Sequence, residues 1–102
     1  MFKTLIQNRA IREEEKILKN NLRAINLKYK AALNKTSAIN IVESLNDVYS
    51  ELYSFEKNNC TSIGYTNKIK SAVFAFYHKI DLKKIEFLPE INRVGNHSTY
   101  IG

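Results

Sequence analysis

Apolar residues recur along the first third of the chain at steps of seven, four, three, four and three: Ile11, Leu18, Leu22, Ile25, Tyr29 and Ala32. That spacing keeps one face of an α-helix apolar, so it predicts a long amphipathic helix over 9–34. Its start can be read in two ways. Asn8 could cap it, or Thr4 with Gln7, in the form of a capping box, could begin it earlier. The run Lys35-Thr36-Ser37 breaks the register, and Thr36 or Ser37 is placed to cap a second helix over 37–57. In that helix Ile41, Leu45, Val48, Leu52 and Phe55 step by four, three, four and three.

The polar stretch from Lys57 to Gly64 is the longest predicted loop, after which Thr66 or Asn67 opens a third helix over 66–80. Its inward residues are Ile69, Val73, Phe76 and Ile80, with Phe74 and Tyr77 widening the apolar face. Val73, Phe74, Phe76 and Tyr77 favour strands intrinsically, but the surrounding three-four spacing outweighs that propensity. Asp81 can cap a fourth helix over 82–94, whose apolar residues are Leu82, Ile85, Leu88 and Ile91. Pro89 should kink it or end it, because proline lacks an amide hydrogen and clashes with the preceding turn. Gly95 is the predicted stop, followed by a tail over 95–102. The expected fold is all-α: a single domain, residues 1–102, forming an antiparallel up-down four-helix bundle with a short C-terminal tail.

Composition narrows the class further. Three Gly and one Pro are too few turn residues for a sandwich or barrel of short strands. The lone Cys60 can form no intramolecular disulfide, which fits a reducing cytosol. The first residues, MFKTLIQNR, do not have the form of a signal peptide, and no stretch approaches the roughly 20 apolar residues of a membrane span. A cytoplasmic protein is expected.

Charge is distributed unevenly. Residues 1–35 hold nine Lys or Arg against three Glu, residues 36–65 hold one Lys against four acids, and residues 66–102 hold six basic residues against three acidic ones. On the first helix Arg9, Arg12, Lys16, Lys19, Arg23 and Lys30 step by three, four, three, four and seven, opposite the apolar seam, with Asn26 in the gap. Such a stripe is either a solvated outer face, partly balanced by Glu43, Asp47 and Glu51 of the next helix, or a footprint for an anionic partner. Of the anionic partners a membrane surface fits better than nucleic acid, since no helix-turn-helix, zinc or RNA-binding aromatic motif is present.

Catalysis has little support. There is no glycine-rich phosphate loop, zinc-ligand pair or nucleophile elbow, so no catalytic residue, metal site, cofactor or small-molecule substrate is expected. His78, within the aromatic stretch of the third helix, is expected to be a partly buried packing or hydrogen-bonding residue. The run Glu13-Glu14-Glu15 reads as the acidic start of a helix, favourable to its dipole. Glu15 nonetheless falls where the seam expects an apolar side chain.

The basic first helix, SAINIVESLNDVYSELYSF as the second, YTNKIKSAVFAFYHKI as the third, LKKIEFLPEINRV as the fourth and a tail closing in Tyr-Ile-Gly together resemble the pediocin-like (class IIa) bacteriocin immunity proteins. The resemblance covers the whole chain through its pattern of helices. It implies a cytosolic four-helix bundle that protects a Gram-positive cell from a pore-forming peptide without enzymology. The implied partner is the bacteriocin-bound mannose phosphotransferase permease, met at the inner face of the membrane with peripheral membrane contact. The tail residues His97, Ser98, Thr99, Tyr100 and Ile101, with the helix before them, would be the recognition element. An alternative of a different class is a small, basic, antitoxin-like regulator associated with nucleic acid.

Overall fold

The computed structural model describes the backbone of residues 2–101 and the side chains of residues 8–89. The chain is all-α, 87% helical, with no strand among the described residues. Three helices account for it: α1 (Phe2–Leu33), α2 (Ala38–Asn59) and α3 (Asn67–Ile101). The polar punctuation of the sequence sets both turns. Ser37, in an extended conformation, accepts a hydrogen bond from the Asn40 amide at 3.2 Å and caps α2. Thr66 precedes α3, its carbonyl accepting from the Lys70 amide at 2.9 Å.

Cross-helix pairs fix the directions. Lys28 of α1 pairs with Glu51 of α2, and Glu14 near the other end of α1 meets Ser62 just beyond α2, so these two helices are antiparallel. Tyr77 donates to Glu56 and Lys84 to Asn46, so α3 runs antiparallel to α2 and parallel to α1. The result is an up-down-up bundle in which α2 packs broadly on both neighbours while α1 and α3 touch little. One core fills it: Leu18, Leu22, Ile25, Tyr29 and Ala32 from α1, Ile41, Leu45, Val48, Leu52 and Phe55 from α2, and Ile69, Val73, Phe76 and Ile80 from α3. Tyr29 meets Phe76 edge to face, with ring centroids 5.8 Å apart.

Three expectations need correction. The helix expected over 9–34 begins at Phe2, so Asn8 lies inside it and the glutamates at 13–15 are three turns from its start. The third and fourth helices are one: Asp81 caps nothing, and α3 passes through Pro89 and Gly95 to Ile101, where a separate helix and a tail over 95–102 were expected. Pro89 deprives the Ile85 carbonyl of its intrahelical donor, but both residues are exposed, where that carbonyl can turn to solvent. A glycine stops a helix by taking a positive φ, and among the described residues none does. Finally, Leu82 and Ile85 are more than half exposed and Leu88 is 39% exposed, so they do not extend the core. The core-facing continuation from Ile80 falls at Lys84 and Phe87, both half-buried, with Phe87 packed against the core.

Candidate functional surface

Five of the six residues of the basic stripe on α1 are exposed, and the sixth is tied to an acid. Arg9, Arg12, Lys16, Arg23 and Lys30 are exposed and make no salt bridge among the described residues, while Arg23 Nη1 donates to Asn20 Oδ1 on its own helix at 3.3 Å. Lys19 is half-buried and lies 3.3 Å from the Glu15 carboxylate, one turn earlier. The expected balance from α2 is not made: Glu51 pairs with Lys28, which lies outside the stripe. Apart from Glu13, Glu14 and Glu15 on α1 itself, the nearest acids along the chain lie on α2. Glu43, Asp47, Glu51 and Glu56 belong to α2, whereas the stripe belongs to α1 and borders its shallow junction with α3.

That junction is a groove of about 360 Å³ lined by Lys19, Leu22, Arg23 and Asn26 from α1 and by Ala72, Phe76 and Lys79 from α3. Lys79 Nζ donates to Asn26 Oδ1 at 2.9 Å and sits 4.5 Å and 4.6 Å from the ring centroids of Tyr29 and Phe76. Both rings attract the cation through their quadrupoles. Burial, with a contribution from nearby Lys30, lowers the pKa of Lys79 below the ordinary lysine value of 10.5. Lys83, by contrast, is raised by its hydrogen bond and charge pairing with Glu86.

The connection between α2 and α3 is clamped to α1 by two half-buried carboxylates, Glu14 and the seam-breaking Glu15. Glu14 accepts from the Ser62 hydroxyl and, at 3.3 Å, from the Gly64 amide; Glu15 accepts from the Thr66 hydroxyl at 2.7 Å. The Thr66 hydrogen bond is the main reason that the Glu15 carboxyl is held below its ordinary value of 4.5; partial burial opposes this, and Lys19 reinforces it. Gly64 is buried against the α1 backbone. These glutamates are thus structural ties for the loop.

His78 is exposed, contrary to the half-buried packing position expected, and Phe74 is 77% exposed rather than part of the inward face. Each follows from a single α3 whose core side is set by Ile69, Val73, Phe76 and Ile80. Phe74, His78, Leu82, Ile85 and Leu88 then share the opposite side within about a third of the helix circumference. Among the described residues no group of three His, Cys, Asp or Glu could hold a metal ion, and Cys60 is free and exposed. The side chains of His97, Ser98, Thr99, Tyr100 and Ile101, expected to form a recognition element, lie outside the described residues. The sequence reading missed Ala72 and Lys79 as members of a surface with α1. Lys68 and Lys79, eleven residues apart and so three turns along one face, were the available signal.

Compared with known proteins, the chain matches no family model, no curated protein and no solved structure.

Proposed function

We propose that this chain is a non-enzymatic binding protein that works against the anionic inner face of a membrane, and that its role is immunity to a pore-forming class IIa bacteriocin. The observation that carries the first half is the exposed stripe Arg9, Arg12, Lys16, Arg23 and Lys30, none of which makes a salt bridge among the described residues. Basic residues near an anionic bilayer are worth about 1 kcal/mol each, so five that face it together can hold a small protein at the surface. No helix among the described residues is long and apolar enough to cross a membrane, so the contact would be peripheral.

The second half comes from the sequence resemblance. The four-helix architecture of that family differs from the three helices seen here, so support comes from the basic first helix and the order of segments. In this reading the partner is the bacteriocin-bound mannose phosphotransferase permease. The exposed apolar side of α3, with Phe74, Leu82 and Ile85, would supply contact area beside the recognition residues His97–Ile101.

The test is expression in a sensitive Gram-positive strain challenged with a panel of class IIa bacteriocins. Protection against one or a few members is the expected result. Uniform killing across the panel, with the protein shown to be folded and expressed, would remove the immunity role.

A further inference from the structure

The α1–α3 groove differs from the open stripe beside it. Its floor is apolar, formed by Leu22 and Phe76, both under a tenth exposed, together with the methyl of exposed Ala72. Its rim holds three cations, Lys19, Arg23 and Lys79, and no carboxylate lines it. Of the three, only Lys19 has a salt bridge among the described residues, and the acceptor for Lys79 is the neutral Asn26. Its volume of about 360 Å³ is at the small end of the roughly 300–1,000 Å³ typical of small-molecule sites.

We propose that this groove binds the phosphodiester headgroup of an anionic glycerophospholipid, with Lys19, Arg23 and Lys79 around the phosphate and the start of the acyl chains against Leu22, Ala72 and Phe76. This deepens the membrane reading and rests on it for the source of the ligand. An arginine can meet a phosphate through two parallel hydrogen bonds, and a lysine meets it as a point charge. Lys79 is held in place before any ligand arrives, by Asn26 on one side and two aromatic rings on the other, so little side-chain freedom is lost on binding. The lowered pKa of Lys79 has the same origin: a cation partly desolvated and near Lys30, which an incoming anion would relieve. A free phosphate would satisfy the rim but leave the apolar floor unused, which is why the lipid is the better fit.

The experiment titrates the isotopically labelled chain with monomeric dihexanoyl phosphatidylglycerol and follows the Ala72 methyl and the Phe76 ring by NMR. Dihexanoyl phosphatidylcholine and inorganic phosphate serve as parallel arms. Saturable shifts centred on Ala72, Leu22 and Phe76 are expected with the anionic lipid, at least tenfold weaker with the zwitterionic one and weaker still with phosphate. Lys79→Met keeps an unbranched stem over the two rings while removing the charge, and Ala72→Glu places a negative charge on an exposed site in the floor. Each should weaken binding tenfold or more, whereas Lys16→Gln, outside the groove, should weaken it about fivefold at most.

Equal losses from Lys79→Met and Lys16→Gln would overturn the groove as a site, as would shifts scattered along α1. Phosphate acting as strongly as the lipid would overturn the lipid assignment. Because the probe is monomeric, groove binding without any attachment to anionic vesicles would remove the membrane reading and leave the site standing. Vesicle attachment without groove shifts would do the opposite.

Discussion

Gly64 is buried against the backbone of α1, and replacing it with alanine tests how the α2–α3 connection is held. A methyl on the Gly64 Cα would lie 2.6 Å from the Glu14 carbonyl carbon and 2.7 Å from the Glu15 nitrogen, and it would also collide with the Glu14 Cβ. These obstacles are mostly α1 backbone, which cannot swing aside as the end of a side chain can. Gly64 has no positive φ, so the penalty is one of space. Overpacking of this kind costs about 1–3 kcal/mol when neighbours adjust. Here the adjustment would lift the loop from α1 and weaken the Gly64 amide, Ser62 and Thr66 hydrogen bonds to Glu14 and Glu15. Hydrogen bonds to charged groups contribute about 1.5–3 kcal/mol each, so losing one brings the total to at least about 2.5 kcal/mol. In a domain of this size each kcal/mol moves the melting temperature by about 4–8 °C. Gly64→Ala should therefore lower Tm by about 10 °C or more, followed by circular dichroism at 222 nm and checked by urea unfolding. A variant melting within about 2 °C of the parent would show that the loop does not press on α1, and the seating of α3 on α1 would have to be redrawn.

Leu45, with no exposed surface at the centre of α2, should cost about 2–5 kcal/mol as Leu45→Ala, whereas Lys16→Ala should be nearly silent; the reverse order in thermal melts would put the helix register wrong. Glu15 has a folded-state pKa below its unfolded value, so it stabilises the fold above about pH 4.5 and that contribution is lost as pH falls through the depressed value. Thr66→Val should move the Glu15 titration, followed by carboxyl-carbon NMR, up toward 4.5, and a wild-type midpoint at or above 4.5 would contradict the hydrogen bond. Deleting residues 97–102 removes nothing from the core between Leu18 and Ile80, so the melt should stay within a few degrees while protection of a sensitive strain disappears. Full protection by the truncated chain would rule out His97–Ile101 as the recognition element.

The core was legible because an amphipathic helix reports its buried face through spacing alone. Every residue from Leu18 to Ile80 that the three-four steps placed inward is buried, and Ile11 is half-buried. The count of helices was not legible, for a specific reason. Leu82, Ile85 and Leu88 lie two, five and eight positions after Ile80, a change of face that a break at Asp81 would explain equally well. No Gly or Pro separates Ile80 from Leu82, however, so nothing forces a break, and the second apolar run becomes the outer side of one long α3. Continuing the inward register to Lys84 and Phe87 would have exposed the conflict. The basic stripe was legible as a set of positions on α1, but its neighbour across the groove was not. Only the parallel seating of α1 and α3 brings Lys79 to Asn26, fifty-three residues away. The same holds for Glu14 and Glu15, whose partners Ser62, Gly64 and Thr66 come from the far side of α2.

Whether the α1 face addresses an anionic bilayer is tested most directly by co-sedimentation of the intact protein with vesicles of phosphatidylglycerol and phosphatidylcholine, compared with phosphatidylcholine alone, over a range of salt. Sedimentation with the anionic vesicles only, falling as salt rises and falling again in an Arg12→Gln, Lys16→Gln, Arg23→Gln triple variant, is the predicted result. Equal recovery with both kinds of vesicle, or none with either at low salt, would contradict it.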